Sequence, residues 1–303
     1  MSVEVKNLYF NYGRIRALAG IDLSLPPGAV GLLGPNGAGK STLLRILLGF
    51  LPVEKGEGTV LGYNIKRQQS MIRRLVGYLP EDDCYLPGMD AVSFTSYLGE
   101  LSGMPHQEAM KRAHEVLFYV GLEESRYRLV ETYSGGMKQR LKLAQAIVHD
   151  PQLIFMDEPT SGLDPQGRQE ILELIKDISS KKEIQVLISS HILADIEATC
   201  SYVVILNKGK VAAQGEMKEL KAIKYNLFEI RIKGNTQIFL QRLKAIGCRV
   251  EETEDGLLKV YMPPGQSSQE IFKIGAEENI QIRHFIKSQT SLEDLFAKAV
   301  GVD

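Results

Sequence analysis

Residues 29–50 read AVGLLGPNGAGKSTLLRILLGF. An apolar run stops at a glycine-rich loop, and a second apolar run with helical spacing starts from it. This predicts a buried strand, a tight loop and a helix. Within it, GPNGAGKS at 34–41 matches G-x-x-x-x-G-K-[ST] in the strand–loop–helix context that gives the motif meaning. Glycines let backbone N–H groups turn inward around a phosphate, and the start of the helix adds its positive end. Lys40 can reach the β- and γ-phosphates of a nucleotide, and the Ser41 hydroxyl can ligand Mg²⁺. Gly34, Pro35, Asn36, Gly37, Ala38, Gly39, Lys40, Ser41 and Thr42 are therefore the candidate phosphate cradle.

A nucleotide enzyme also needs a metal-holding acid and a group that positions water. LIFMDE at 153–158 is a buried strand with two carboxylates at its C-terminal end, where open α/β sheets bind ligands. Asp157 is expected to hold Mg²⁺ and Glu158 to polarise the attacking water. His191 ends the next strand, IQVLISSH; from placement alone it reads as a structural histidine or a site residue. YSGGMKQR at 133–140 contains no nucleophile, metal cluster or acid–base pair. Ser134 sits where a helix N-cap belongs, and Gly135 and Gly136 allow close backbone approach, so the segment reads as a plain cap or as an anion site.

Around these motifs the pattern is α/β. VEVKNLYF and IDLSL read as strands, ending at Pro26-Pro27-Gly28. IRRLVGYLP at 72–80 ends in a strand, and QGRQEILELIKDIS is a helix between the strands LIFMDE and IQVLISS. Strand–helix–strand alternation predicts a parallel sheet covered by helices. Residues 90–150 have apolar positions three and four apart and read as a helical insertion. After about residue 220 the order becomes β-α-β-β-α-β plus a final helix at 291–300, a ferredoxin-like pattern. Its strand LLKVYM shows little of the aromatic signature of an RNA reader, so an accessory structural or regulatory domain is expected.

Composition excludes other classes. The chain has 303 residues and a net charge of −1, which argues against a general nucleic-acid binder. Cys84, Cys200 and Cys248 form no Cys-x-x-Cys, consistent with a reducing, cytosolic setting. No apolar run reaches the roughly 18 residues of a spanning helix; LLRILLGFLPV at 43–53 is short and carries Arg45.

Taken in order, these motifs make the chain resemble the ATP-binding subunit of an ABC transporter. GPNGAGKST is similar to the family's P-loop, YSGGMKQR to its signature motif, LIFMDEP to its Walker B strand, SGLDP at 161–165 to its D-loop and SSH to its switch histidine. The resemblance covers residues 1–220 as a P-loop NTPase domain, with an N-terminal antiparallel β-subdomain and a helical subdomain at about 90–150. Residues 221–303 form the accessory α+β domain, and its ending TSLEDLF resembles bacterial exporters whose membrane part is a separate polypeptide.

The resemblance implies ATP and Mg²⁺ as cofactors and ATP hydrolysis coupled to transport. Ser134, Gly135 and Gly136 would hold the γ-phosphate of an ATP bound to a second subunit, in a homodimer or a heterodimer with a related ATPase. Asp164 would tie the two sites together, and His191 would contact the γ-phosphate. Tyr12, 28 residues before Lys40, would stack on adenine, with Tyr9 and Phe10 as competitors. The family usually has glutamine after the VGYLP strand; here it is Glu81, which can offer an oxygen to Mg²⁺ but adds negative charge. The implied partner is an integral-membrane permease, with the chain cytoplasmic and peripheral on the inner membrane face and no nucleic acid involved. An importer ATPase and a soluble ABC ATPase of translation or repair are the alternatives. One cassette, with about 90 residues between P-loop and signature, disfavours the soluble class.

Overall fold

The structure, a computed structural model, describes residues 1–181, 184–222, 226–253, 256–263 and 265–288. The expected helix at 291–300, the TSLEDLF segment and Asp255 lie outside these residues. The chain divides into two compact units, with the break between Met217 and Lys218.

The first unit opens with β1 (Val3–Tyr12) and β2 (Ile15–Leu25), then β3 (Ala29–Leu33), α1 (Lys40–Leu47), β4 (Lys55–Val60), β5 (Tyr63–Asn64), α2 (Gln69–Leu75) and β6 (Val76–Leu79). The helical part holds α3 (Ala91–Leu101), α4 (His106–Tyr119) and α5 (Gly135–Ile147). Then come β7 (Leu153–Asp157), α6 (Pro165–Lys181), β8 (Gln185–Ser190), α7 (Leu193–Thr199), β9 (Tyr202–Asn207), β10 (Lys210–Glu216) and the start of α8 (Met217–Ala222).

Two sheets form this unit. One is antiparallel, in the order β2-β1-β4-β5. The other runs β10-β9-β3-β8-β7-β6, parallel except for the edge strand β10. Every residue of β7 is buried, as expected for a strand covered on both faces. Helix α1 fills the space between the sheets: Leu43, Leu44 and Leu47 join a core that includes Val5, Leu18 and Ile21 of the first sheet and Phe155 and Leu187 of the second. That packing holds the phosphate loop at one end of a rigid layer.

The β9–β10 hairpin and strands β4 and β5 are absent from the sequence reading. The hairpin turn is at Lys208 (φ 47°) and Gly209 (φ 73°), both left-handed, as a two-residue turn of this hand requires. Lysine there carries none of the usual Asn-Gly signal. In addition, β4 contains two glycines in six residues and so lacks a strand pattern.

The second unit contains β11 (Asn226–Lys233), α9 (Thr236–Ala245), β12 (Arg249–Glu252), β13 (Leu258–Met262), α10 (Gln269–Glu277) and β14 (Gln281–Ser288). Its sheet is antiparallel, in the order β12-β13-β11-β14. Alternate residues Phe228 and Ile230 of β11, and Leu258, Val260 and Met262 of β13, share a core with Phe239 and Leu243 of α9 and Ile271 of α10. One sheet face is thus covered by two helices.

Candidate nucleotide site

Gly39 is the N-cap of α1, with φ 104°. A Cβ there would lie 2.7 Å from the Ala17 carbonyl oxygen, so only glycine lets the loop pass β2 in this conformation. Helix α1 thereby begins at Lys40, with its free N–H groups at the loop. Lys40 is 6% exposed, and its Nζ donates to the carbonyls of Gly34 (2.7 Å) and Pro35 (3.3 Å). It also lies 3.2 Å from Glu158 Oε1.

The parallel register sets Asp157 of β7 beside Ser189 of β8. Ser189 Oγ donates to Asp157 Oδ1 at 2.8 Å, and Ser41 Oγ from α1 donates to the same oxygen at 3.0 Å. Asp157 is fully buried, and its Oδ2 has no hydrogen-bond partner among the described residues. A buried anionic oxygen without a donor is costly unless something fills its place. The paired serines of LISSH, at the end of the strand next to Asp157, are the sequence signal for Ser189.

Glu158 follows directly, in a left-handed conformation with φ 48°. Its N–H donates to Ser189 O at 3.0 Å, and its Oε2 is 2.8 Å from His191 Nδ1. His191 is therefore brought to the carboxylate, with its ring partly exposed. Lys40, Glu158 and His191 form a continuous chain from phosphate loop to strand β8.

Glu81 follows β6, whose Leu79 pairs with Met156, so it leaves the sheet at the same end as Asp157 and Glu158. Partial desolvation raises the pKa of its largely exposed carboxyl, and the negative charges of Asp157, Glu158 and Asp82 raise it further, with Lys40 opposing. Among the described residues, no three His, Cys, Asp or Glu converge as a metal cage, so Glu81, Asp157 and Glu158 do not close into one. Mg²⁺ at a nucleotide takes only one or two protein ligands, the rest being phosphate oxygens and water. Ser41 and the bare oxygen of Asp157 fit that demand.

Of the three aromatic candidates on β1, Phe10 is 5% exposed and belongs to the core, and Tyr9 is half-buried beneath Lys55. Tyr12 is 44% exposed, braced edge-on by Phe10 with centroids 5.0 Å apart. Only Tyr12 offers an open ring.

Ser134 caps α5, its Oγ accepting from Met137 N at 3.3 Å. A Cβ on Gly135 or Gly136 would touch nothing within 4 Å, so their backbone faces open space. Both glycines and Ser134 line a cavity of about 510 Å³ shared with Asp164, Gly162 and Gly167. Asp164 Oδ1 accepts from Gly167 N at 3.0 Å and caps α6. No residue of the 34–42 loop lines this cavity. The chain thus brings its signature segment and Asp164 together, apart from its own phosphate loop.

Comparison with known proteins agrees with this geometry. The sequence profile described as "ABC transporter" matches residues 18–161. The chain is 32% identical to the linearmycin resistance ATP-binding protein LnrL of Bacillus subtilis, covering 99% of this chain and 98% of that protein. It is also 32% identical to the bacitracin transport ATP-binding protein BcrA of Bacillus licheniformis, covering 99% and 97%. Among solved structures, cbiO1 from Clostridium perfringens, part of the ABC transporter complex cbiONQ, superposes with a TM-score of 0.66 at 28% identity, over 73% of this chain and 91% of that one. Among the described residues no helix is long and apolar enough to cross a membrane. The chain belongs to the ABC transporter family, as one of its ATP-binding and ATP-hydrolysing subunits.

Proposed function

We propose that this subunit hydrolyses Mg²⁺-ATP in a head-to-tail dimer and powers an exporter whose membrane-spanning part is a separate polypeptide. The observation that carries the chemistry is the chain Lys40–Glu158–His191 beside the bare Asp157 oxygen. An arriving γ-phosphate offers Lys40 a stronger partner than two carbonyls. Lys40 then leaves Glu158, and the freed carboxylate accepts a hydrogen bond from the attacking water. His191 holds Glu158 through Nδ1. In the neutral ring that bond leaves Nε2 without a proton. To donate to the γ-phosphate, His191 must release Glu158 or bind a second proton. Bound Mg²⁺ would neutralise charge on the phosphate oxygens, held by Ser41 and Asp157 with an oxygen from Glu81.

Tyr12 would stack on adenine, and the 34–42 loop would cradle the phosphates. The cavity of Ser134, Gly135, Gly136 and Asp164 is supplied with helix N–H groups but lies apart from the chain's own phosphate loop. A second cassette with reversed orientation would bring its nucleotide there. The permease would meet a groove of about 770 Å³ between the core and the helical part, whose apolar lining includes Phe50, Phe94, Leu98 and Leu101, with Arg73 and Arg74 alongside. That contact would place the chain on the inner membrane face. Export is favoured because relatives matching 99% of the chain bear the names linearmycin resistance and bacitracin transport. Resistance to a toxic compound calls for outward movement.

The test is Glu158→Gln. ATP binding should persist while turnover falls about 10²–10⁴-fold, the usual loss on removing a positioned base. An undiminished hydrolysis rate would refute the assignment.

A further inference from the structure

Lys142 lies on α5, eight residues after Ser134, and is 8% exposed. Its Nζ donates to the carbonyls of Pro80 (3.2 Å) and Glu81 (2.9 Å) and is 3.6 Å from Asp83 Oδ1. An ammonium has three donors and no acceptor; here two bond the main-chain carbonyls of the segment after β6, and the Asp83 carboxylate lies within ion-pair range. Breaking such a buried set leaves a charge without partners, which is strongly unfavourable. Segment 80–83 and α5 are therefore held as one piece. Lys138, one turn earlier, adds a strap to Asp83 Oδ2 at 2.9 Å and sits over the Tyr85 ring. This second tie is more exposed and weaker.

The two ends of this piece lie at different sites. At one end, Glu81 leaves β6 at the edge of the sheet where β7 presents Asp157 and Glu158. At the other, α5 begins with the open backbone of Gly135 and Gly136, about 10 Å along the helix from Lys142 at 1.5 Å per residue. Lys142 also lines the groove beside Tyr78, Pro80 and Cys84.

We propose that Lys142 is a positioning residue that couples Glu81 to the signature segment, so that a nucleotide acting on Glu81 also shifts Ser134–Gly136. A partner seated in the groove pushes the same piece. The proposal rests on the ATPase reading above, and its test separates the two. Hydrogen exchange is followed in full-length Glu158→Gln protein with and without Mg²⁺-ATP, below the concentration at which light scattering detects a dimer. Exchange should slow at 34–42 and change at 133–138. Adding Lys142→Met, which keeps most of the apolar stem, should preserve the effect at 34–42 and abolish it at 133–138. Lys142→Arg should restore it. A merely structural lysine would lower Tm and leave the response at 133–138 intact; that result, or no response there in the parent, overturns the proposal. No change at 34–42 in the parent overturns the ATPase reading and the proposal with it. Should Lys142→Met lose cooperative unfolding, Lys142→Gln takes its place, with the same outcomes deciding.

Discussion

Ser41 and Ser189 donate to the same oxygen of Asp157, one from the phosphate-loop helix and one from the neighbouring strand. The two bonds hold the carboxylate by one side and leave Oδ2 bare. Ser189→Ala removes a bond to a buried carboxylate, a loss of about 1.5–3 kcal/mol. The urea midpoint should fall accordingly. Because Asp157 then turns more freely, affinity for Mg²⁺-ATP should drop more than affinity for ATP in EDTA. Equal losses in titrations of the two would show that Ser189 acts on the fold alone.

A second buried carboxylate holds the segment leading to Asp164. Asp195 is 1% exposed and binds Thr160 Oγ1 at 2.5 Å and Arg168 Nε at 2.6 Å. Arg168→Met leaves a buried charge with one partner, a change that costs about 3–5 kcal/mol when complete. Arg168 is partly exposed, so the lower end is expected. Urea unfolding measures this. Arg168→Met combined with Asp195→Asn should recover part of the loss, since the unpaired charge is then gone.

Signals confined to one segment were legible in the sequence. The cradle at 34–42 and the acids at 157 and 158 follow from spacing within a strand–loop–helix or at a strand end. Placing Tyr12 at the adenine and Ser134 at a partner's phosphate needed the family resemblance, because β1 carries three aromatics and a serine–glycine start suits any helix. The Asp157–Ser189 and Lys142–Glu81 contacts join residues 32 and 61 positions apart and arise only from strand register and helix packing. The β9–β10 hairpin carries no such signal, because a left-handed lysine stands where asparagine usually marks the turn.

Tyr12 tests the adenine contact. Its ring is open and already oriented by Phe10. Stacking of a base on an aromatic is worth about 1–3 kcal/mol by alanine substitution. Tyr12→Ala should therefore weaken binding of a fluorescent ATP analogue by about 5- to 150-fold, while Tyr12→Phe should remain near wild type. Since the triphosphate alone gains nothing from the ring, affinity for inorganic triphosphate should be unchanged. A similar loss for both ligands would assign Tyr12 to loop structure instead.

Glu81 sets a pH dependence of stability. Partial desolvation and the nearby negative charges of Asp157, Glu158 and Asp82 hold its carboxyl pKa above the ordinary value in the folded chain. The folded state then binds the proton more tightly than the unfolded state. Stability from this group is highest below the unfolded pKa of about 4.3 and falls as pH rises through the higher folded value. Near neutrality the full penalty is present. Glu81→Gln removes the charge while Lys142 still finds the Glu81 main-chain carbonyl, which the substitution leaves in place. The variant should melt above wild type near neutral pH, and the gap should close as pH drops below the ordinary glutamate range. Thermal unfolding across that range in nucleotide-free protein measures it. A gap that stays constant with pH would mean that Glu81 is fully solvated and feels neither Asp157 nor Glu158.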